Sequence, residues 1–174
     1  MNSLNVEMYG VLLGTLSRGK NGVDFVVNPD AIAKYSLSST ILSLAVPLNM
    51  QFTSVQKRRG SNFFSALLPE GRNLEWLELS LPPGERTPYD LLRRYGKDIA
   101  GALIIYDPED PSAGKKGKAE IVDGAQIKRL LERMPQEPFA NSPVSGKTSL
   151  GGVQGKIVLA RKGDAWHRVH YGFH

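Results

Sequence analysis

"TPYDLLRRYGKDIAGALIIYDP", residues 87–108, holds the signals that decide the fold. Thr87 is a residue type that caps helices, a proline follows it, and Asp90 stands three residues after the cap, as in a capping box. Gly96 can end this helix in the left-handed conformation. The apolar run that follows predicts a buried strand. The segment therefore predicts a short capped helix that leads into a strand.

The N-terminal residues favour antiparallel strands. "NVEMYGVLLGTL" (5–16) and "VDFVV" (23–27) are rich in strand-forming residues, and turn-forming residues separate them. We predict a β-hairpin that opens a meander rather than a βαβ unit. Asn28 can then cap a short helix that extends through Tyr35, with a proline at its first position.

The middle of the chain predicts one more strand and two short helices. "TILSLAVPL" (40–48) is typical of a buried strand that a proline ends. "NFFSALL" (62–68) predicts a short helix, and a second short helix contains Leu74 and Leu77. The basic stretch "QKRRG" (56–60) lacks the interleaved aromatic residues of a nucleic-acid motif, so we interpret it as a solvated turn.

A charged, Gly- and Pro-rich connection, "EDPSAGKKGK" (109–118), is the best candidate for a domain boundary. We therefore predict two domains, residues 1–107 and 108–174. In the second, "DGAQIKRLLERM" (123–134) has the apolar spacing of a helix that packs on a sheet, and "KIVLARKGDAWHRV" (156–169) predicts a strand, a turn and a strand. The fold class is α+β, an antiparallel sheet with short helices.

Composition limits the classes of function. The chain has no cysteine, which excludes disulfides and thiolate metal sites, and no apolar run long enough to cross a membrane. We expect a cytoplasmic protein. Residues 1–110 carry 11 Lys and Arg against 12 Asp and Glu, whereas residues 111–174 carry 11 against 5. This excess beside the glycine-rich segment indicates either an anionic ligand or a solvated basic face.

The glycine-rich segment suggests a phosphate loop of the protein-kinase type. A P-loop at "SGKT" (145–148) fails, because Asn141 stands where its first glycine belongs and no apolar strand leads in. Gly152 and Gly155 have the spacing of the later glycines of the kinase loop, although Leu150 replaces the first. Glycines there let backbone N–H groups approach phosphates.

Four stretches together resemble one family. They occur in its order and are "ILSLAVPL", "NFFSALLPEG", "PYDLLRRYGKDIAGAL" and "SLGGVQGKIVL". The chain is similar over nearly its whole length to the HipA-type serine/threonine kinases, toxins of bacterial toxin–antitoxin pairs. The resemblance implies a compact N-terminal module followed by the beginning of a kinase N-lobe, which opens with the ATP phosphate loop.

The resemblance also implies roles for individual residues. Ser149 resembles the regulatory serine that the family autophosphorylates, and the alternative is that it is only a turn residue. The residues that resemble the ATP loop are Gly152, Val153, Gln154, Gly155 and Lys156. Gly155 departs from the Glu or Pro common there, which implies a more flexible loop. A phosphate on Ser149 would add nearly two negative charges and expel the loop from the ATP pocket.

By resemblance, the intact protein uses ATP and Mg²⁺ to phosphorylate a protein, typically an aminoacyl-tRNA synthetase. A HipB-like DNA-binding antitoxin would hold it, so that DNA contact is indirect. No Asp is followed by Asn at the spacing of the kinase catalytic loop, so we predict no catalytic residue and a chain that is inactive by itself, the N-terminal portion of a longer kinase. The alternative is a stand-alone module that restrains a separate kinase toxin. We predict no metal site at His167, His170 and His174.

Overall fold

The computed structural model describes residues 3–20, 22–99, 101–110, 119–134 and 157–169. Strands β1 to β4 are Leu4–Met8, Val11–Gly19, Gly22–Val27 and Leu103–Tyr106, and helices α1 to α4 are Pro29–Tyr35, Ser54–Ser65, Arg72–Leu79 and Pro88–Tyr95. A 3₁₀ turn spans Gly96–Asp98. Strands β5 to β7 are Ala119–Val122, Leu159–Lys162 and Ala165–Val169, and helix α5 is Gly124–Arg133.

The strands form two antiparallel sheets, one in the order β3-β2-β1-β4 and one in the order β5-β7-β6. The predicted α+β class, with antiparallel sheets and short helices, is confirmed. The predicted boundary between residues 107 and 108 stays a prediction, because most of the connection lies outside the described residues.

The N-terminal meander has one more strand than predicted. The segment predicted as one strand, 5–16, turns back at Tyr9 and Gly10, and Met8 pairs with Val11 across this two-residue turn. Both turn residues have positive φ, 51° and 74°, which matches the right-handed twist of a hairpin. The predicted hairpin is therefore the second of two consecutive hairpins.

Strand β1 lies inside the sheet, between β2 and β4. Its register with β4 pairs Asn5 with Tyr106 and Met8 with Leu103, so the predicted buried strand after α4 is confirmed. β4 comes about a hundred residues after β1 in the chain, so the fourth strand joins the sheet through a long-range pairing.

The capped helices are confirmed, except at the end of α4. Asn28 Oδ1 accepts the Asp30 N–H at 3.1 Å and so caps α1. Gly96 was predicted to be left-handed, which is wrong, since its φ is −63° and the chain continues into the 3₁₀ turn. A Cβ at Gly96 would lie 2.6 Å from the carbonyl oxygen of Ile105. The glycine therefore allows close contact with β4 rather than a left-handed turn.

Two predictions for the middle of the chain are wrong. Residues 40–48 form no strand, only an isolated bridge between Ser43 and Val46, although several of their apolar side chains are buried. Helix α2 begins at Ser54 and includes the stretch interpreted as a solvated turn, because Thr53 and Gln56 form a capping box. The apolar run at 40–48 thus contributes to the core without regular structure.

The hydrophobic core of the described residues lies between the four-stranded sheet and helices α1 to α4. Phe25 on β3 packs against Phe64 on α2, with ring centroids 5.2 Å apart. Other fully buried members are Leu4, Val6, Leu13, Leu16, Leu48, Leu77, Leu91, Leu92 and Ile105. Every buried member of this cluster lies between residues 4 and 105.

The second sheet confirms the predicted C-terminal hairpin. Lys162 pairs with Ala165 across a two-residue turn in which Gly163 has a φ of 61°. Helix α5 is also confirmed, but all its residues are at least partly exposed, and Leu131 of the predicted apolar stripe is 46% exposed. Residues of α5 and β5 line a common groove, and the expected burial of the α5 stripe on the sheet is incomplete within the described residues.

Candidate functional site

The predicted phosphate loop falls outside the described residues. This applies to the regulatory serine, Ser149, and to the ATP-loop residues Gly152, Val153, Gln154, Gly155 and Lys156. The described chain resumes at Ile157, two residues before β6. The roles of these residues stay predictions, and the structure describes the sheet into which the loop leads.

Strand β6 begins at the end of the sheet opposite the β6–β7 turn. Leu159 at the start of β6 pairs with Arg168 near the end of β7. Lys156, the last residue of the predicted loop, precedes Leu159 by three residues in the sequence. An antiparallel hairpin directly after a glycine-rich segment matches the second half of the strand–loop–strand arrangement that kinases use.

Strand β5 lies on the other side of β7, and helix α5 follows β5 at the end of the sheet where the β6–β7 turn lies. β5 pairs with β7 so that Glu120 lies opposite Arg168. The chain turns from β5 into α5 through a capping box, in which the Gln126 N–H donates to Asp123 at 2.7 Å and the Asp123 N–H donates to Gln126 at 2.8 Å. Sequence analysis missed this box, although the Asp-x-x-Gln spacing was present. The box fixes where α5 leaves the sheet.

A partly buried polar cluster lies where α4 meets β2. Asp90 is 5% exposed and accepts hydrogen bonds from both terminal nitrogens of Arg18, Nη1 at 2.9 Å. It also accepts the backbone N–H of Thr87 at 3.1 Å and the Thr87 hydroxyl. Sequence analysis predicted the capping box but missed Arg18. Asp90 therefore caps its own helix and ties it to β2.

The charge state of this cluster follows from its contacts. Burial alone would raise the pKa of Asp90, but the hydrogen bonds from Arg18 and Thr87 outweigh it and hold that pKa below its ordinary value. The hydrogen bond to Asp90 raises the pKa of Arg18, whose guanidinium also lies 4.6 Å from the ring centroid of Tyr89. Both groups are ionised at neutral pH and hydrogen-bonded to each other. This arrangement suits a structural link between α4 and β2 rather than an acid–base catalyst.

Two more ion pairs fasten α4 and the 3₁₀ turn to the residues after β4. Arg93 pairs with Asp107 at 2.9 Å, and Lys97 pairs with Asp110 at 2.8 Å. They border an open groove of about 530 Å³ that Asp90 also lines. The carboxylates of Asp90, Asp107 and Asp110 in this groove therefore already have cationic partners.

Within the described residues, no group of three or more His, Asp or Glu side chains is arranged to hold a metal ion. Of the three histidines only His167 is described, and it lies in β7. None of the helices in this part of the chain is long and apolar enough to span a membrane.

Comparisons with known proteins agree with this architecture. The family model for the HipA N-terminal domain matches residues 4–106. A protein of Sinorhizobium fredii (strain NBRC 101917 / NGR234) named "Putative kinase Y4mE" is 27% identical over 162 residues, which cover 90% of this chain and 37% of that protein. The matched residues of the family model include the whole four-stranded sheet and helices α1 to α4.

A solved structure shares the fold. It is described as the toxin–antitoxin system HipA and HipB of Shewanella oneidensis MR-1 with its operator DNA, and it superposes with a TM-score of 0.62 at 20% identity over 95% of this chain. The chain spans 37% of the length of that protein, as it does of the Sinorhizobium relative. Since the family model matches more than half of the residues, the chain belongs to the HipA family.

Proposed function

We propose that this chain supplies the N-terminal module and the ATP phosphate loop of a HipA-like serine/threonine protein kinase, the toxin of a type II toxin–antitoxin pair. The observation that carries the proposal is the order of parts. A HipA N-terminal domain at residues 4–106 is followed by a glycine-rich segment that runs directly into the β6–β7 hairpin.

In this proposal the loop residues Gly152 to Lys156 hold the phosphates of ATP with Mg²⁺. Because glycines have no side chain, their backbone N–H groups could approach the phosphate oxygens closely, and the Lys156 ammonium would add a positive charge. The hairpin fits this role, because its paired strands give the loop a fixed exit. Phosphorylation of Ser149 would place nearly two negative charges in the same loop and so oppose ATP binding.

The phosphorylated substrate in this proposal is a protein, with an aminoacyl-tRNA synthetase as the type of target. A HipB-like antitoxin would bind the toxin in the cytoplasm and bring it to DNA indirectly. The presence of HipB in the complex of the Shewanella relative supports such a partner. The chain itself carries no Asp and Asn at the catalytic-loop spacing, so we expect it to bind ATP without transferring phosphate.

An NMR titration of the purified chain with ATP and Mg²⁺ tests the loop. We expect the largest amide shifts between Gly152 and Lys156, and we expect Lys156→Ala to weaken binding about tenfold, the loss of one charged hydrogen bond. Lys162→Ala is the matched control, because Lys162 is exposed at the far end of β6. Shifts confined to residues 4–106, or unchanged affinity in Lys156→Ala, would contradict the loop assignment.

One observation favours a second function. The buried cluster lies wholly between residues 4 and 105, so the HipA N-terminal domain has a core of its own. Such a unit could act as a binding module that restrains a separate kinase toxin in trans. A separate kinase reading frame directly downstream of the gene would support the module, whereas one continuous frame would support the kinase.

A further inference from the structure

Three arginine side chains line a groove between helix α5 and strand β5. It has a volume of about 200 Å³, and Arg129, Arg133 and Arg168 line it together with the apolar residues Val122 and Leu130. We call it the arginine groove. Its lining extends along β5 from Glu120 to Val122, and none of its lining residues belongs to the predicted phosphate loop.

Among the described residues, the three arginines have no ionic partner. In residues 119–134 and 157–169 the ion pairs are Lys128–Glu132 and Arg161–Asp164, and neither pair involves an arginine of the groove. One acidic side chain, Glu120, also lines the groove, so its lining carries a net charge of about +2.

Arg168 adds a second, independent observation. Its Nε is buried and has no hydrogen-bond partner within the described part of the chain. Buried polar groups of native proteins are almost always hydrogen-bonded, and a bound ion is one of the explanations for an exception. A guanidinium nitrogen can only donate, so the missing partner is an acceptor.

The geometry points to a phosphate monoester as the ligand, and we propose that the arginine groove binds one. A monoester carries about −1.5 to −2 charges at pH 7, which matches the lining, and guanidinium forks fit its oxygens in pairs. The monoester could belong to a nucleotide or to a phosphorylated side chain. This site goes beyond the proposed function, because it uses other residues than the loop from Gly152 to Lys156.

Titration of the full chain with inorganic phosphate, AMP and O-phosphoserine tests the proposal, with the α5 amides and the Arg168 Nε–H followed by NMR. We expect saturable shifts at Arg168 and along α5. Arg129→Ala and Arg133→Ala should each weaken binding about tenfold, as expected for a lost charged hydrogen bond. Both residues are exposed on a helix, where alanine is favourable, so these variants should fold.

Three further variants distinguish binding in the arginine groove from other causes of the NMR shifts. Arg168→Lys keeps the charge but removes Nε, and it should weaken binding as well. Lys128→Ala removes the same charge from the opposite side of α5, where Lys128 pairs with Glu132, and should have no effect. Lys156→Ala should leave groove binding unchanged even if it abolishes ATP binding at the loop, so the two proposals can fail separately.

The relative affinities of the probes identify the source of the phosphate. Tighter binding of AMP supports a nucleotide, and tighter binding of O-phosphoserine supports a phosphorylated side chain. Absence of saturation with all three probes would overturn the proposal, as would equal weakening in Lys128→Ala or equal binding of acetate.

Discussion

Replacing Asp90 by Asn should destabilise the HipA N-terminal domain, because the carboxylate serves several donors at once. It accepts both terminal nitrogens of Arg18 and two donors of Thr87, and an amide would turn one of its two oxygens into a donor that faces them. A hydrogen bond to a charged group is worth about 1.5–3 kcal/mol. Arg18 is 50% exposed and its charge is screened, so we expect a total loss of about 2–3 kcal/mol at pH 7.

The loss should depend on pH in a definite direction. The pKa of Asp90 is lower in the folded protein than its unfolded value of about 3.9, so its ionised form stabilises the fold above that value. This stabilisation disappears as the pH falls through the folded pKa. The difference in unfolding free energy between the wild type and Asp90→Asn should therefore be full at pH 7 and shrink below about pH 4.

Urea unfolding followed by tryptophan fluorescence measures this difference. Trp76 packs against the core of the domain, whereas Trp166 lies in the other sheet and is 43% exposed, so a Trp166→Phe background isolates the signal. Asp164→Asn is the control, because Asp164 is fully exposed beside Arg161 and should change nothing measurable. An equal loss for Asp90→Asn at pH 7 and pH 3 would refute a role of the charge.

Three other substitutions test the backbone and the caps. Gly96→Ala places a Cβ 2.6 Å from the Ile105 carbonyl oxygen, so urea unfolding should show a loss of about 1–3 kcal/mol. Gly10→Ala should lower the melting temperature through a strain of about 1–2 kcal/mol at a φ of 74°, and Gly10→Asn should recover part of it. Thr53→Ala should cost about 1 kcal/mol, and hydrogen exchange should rise in the first turn of α2, where Gln56 loses its acceptor.

The parts of the fold that depend on adjacent residues were predictable from the sequence. The caps at Asn28 and Thr87 involve partners within three residues, so their spacing is visible in the chain. The turn at Gly163 follows from a glycine between two alternating runs. Family resemblance supplied the order of the modules, which no local pattern contains.

The parts that depend on distant residues were not predictable. Arg18 and Asp90 are 72 positions apart in the sequence, and no local pattern near either residue predicts that they pair. The run at residues 40–48 is apolar, and Leu42, Val46 and Leu48 in it are buried, but an apolar run alone does not distinguish a strand from an irregular buried segment. The candidate loop from Gly152 to Lys156 rests on resemblance, while the arginine groove appears only when α5 and β7 come together.

The pairing of β1 with β4 has a consequence for synthesis on the ribosome. β1 emerges first, but the residues that cover its second edge, from Leu103 to Tyr106, follow almost a hundred positions later. At a translation rate of about 5–20 residues per second, this edge stays open for roughly 5–20 s. During that interval the nascent chain exposes a template for pairing with other strands, and a message truncated before Leu103 would leave the template exposed permanently.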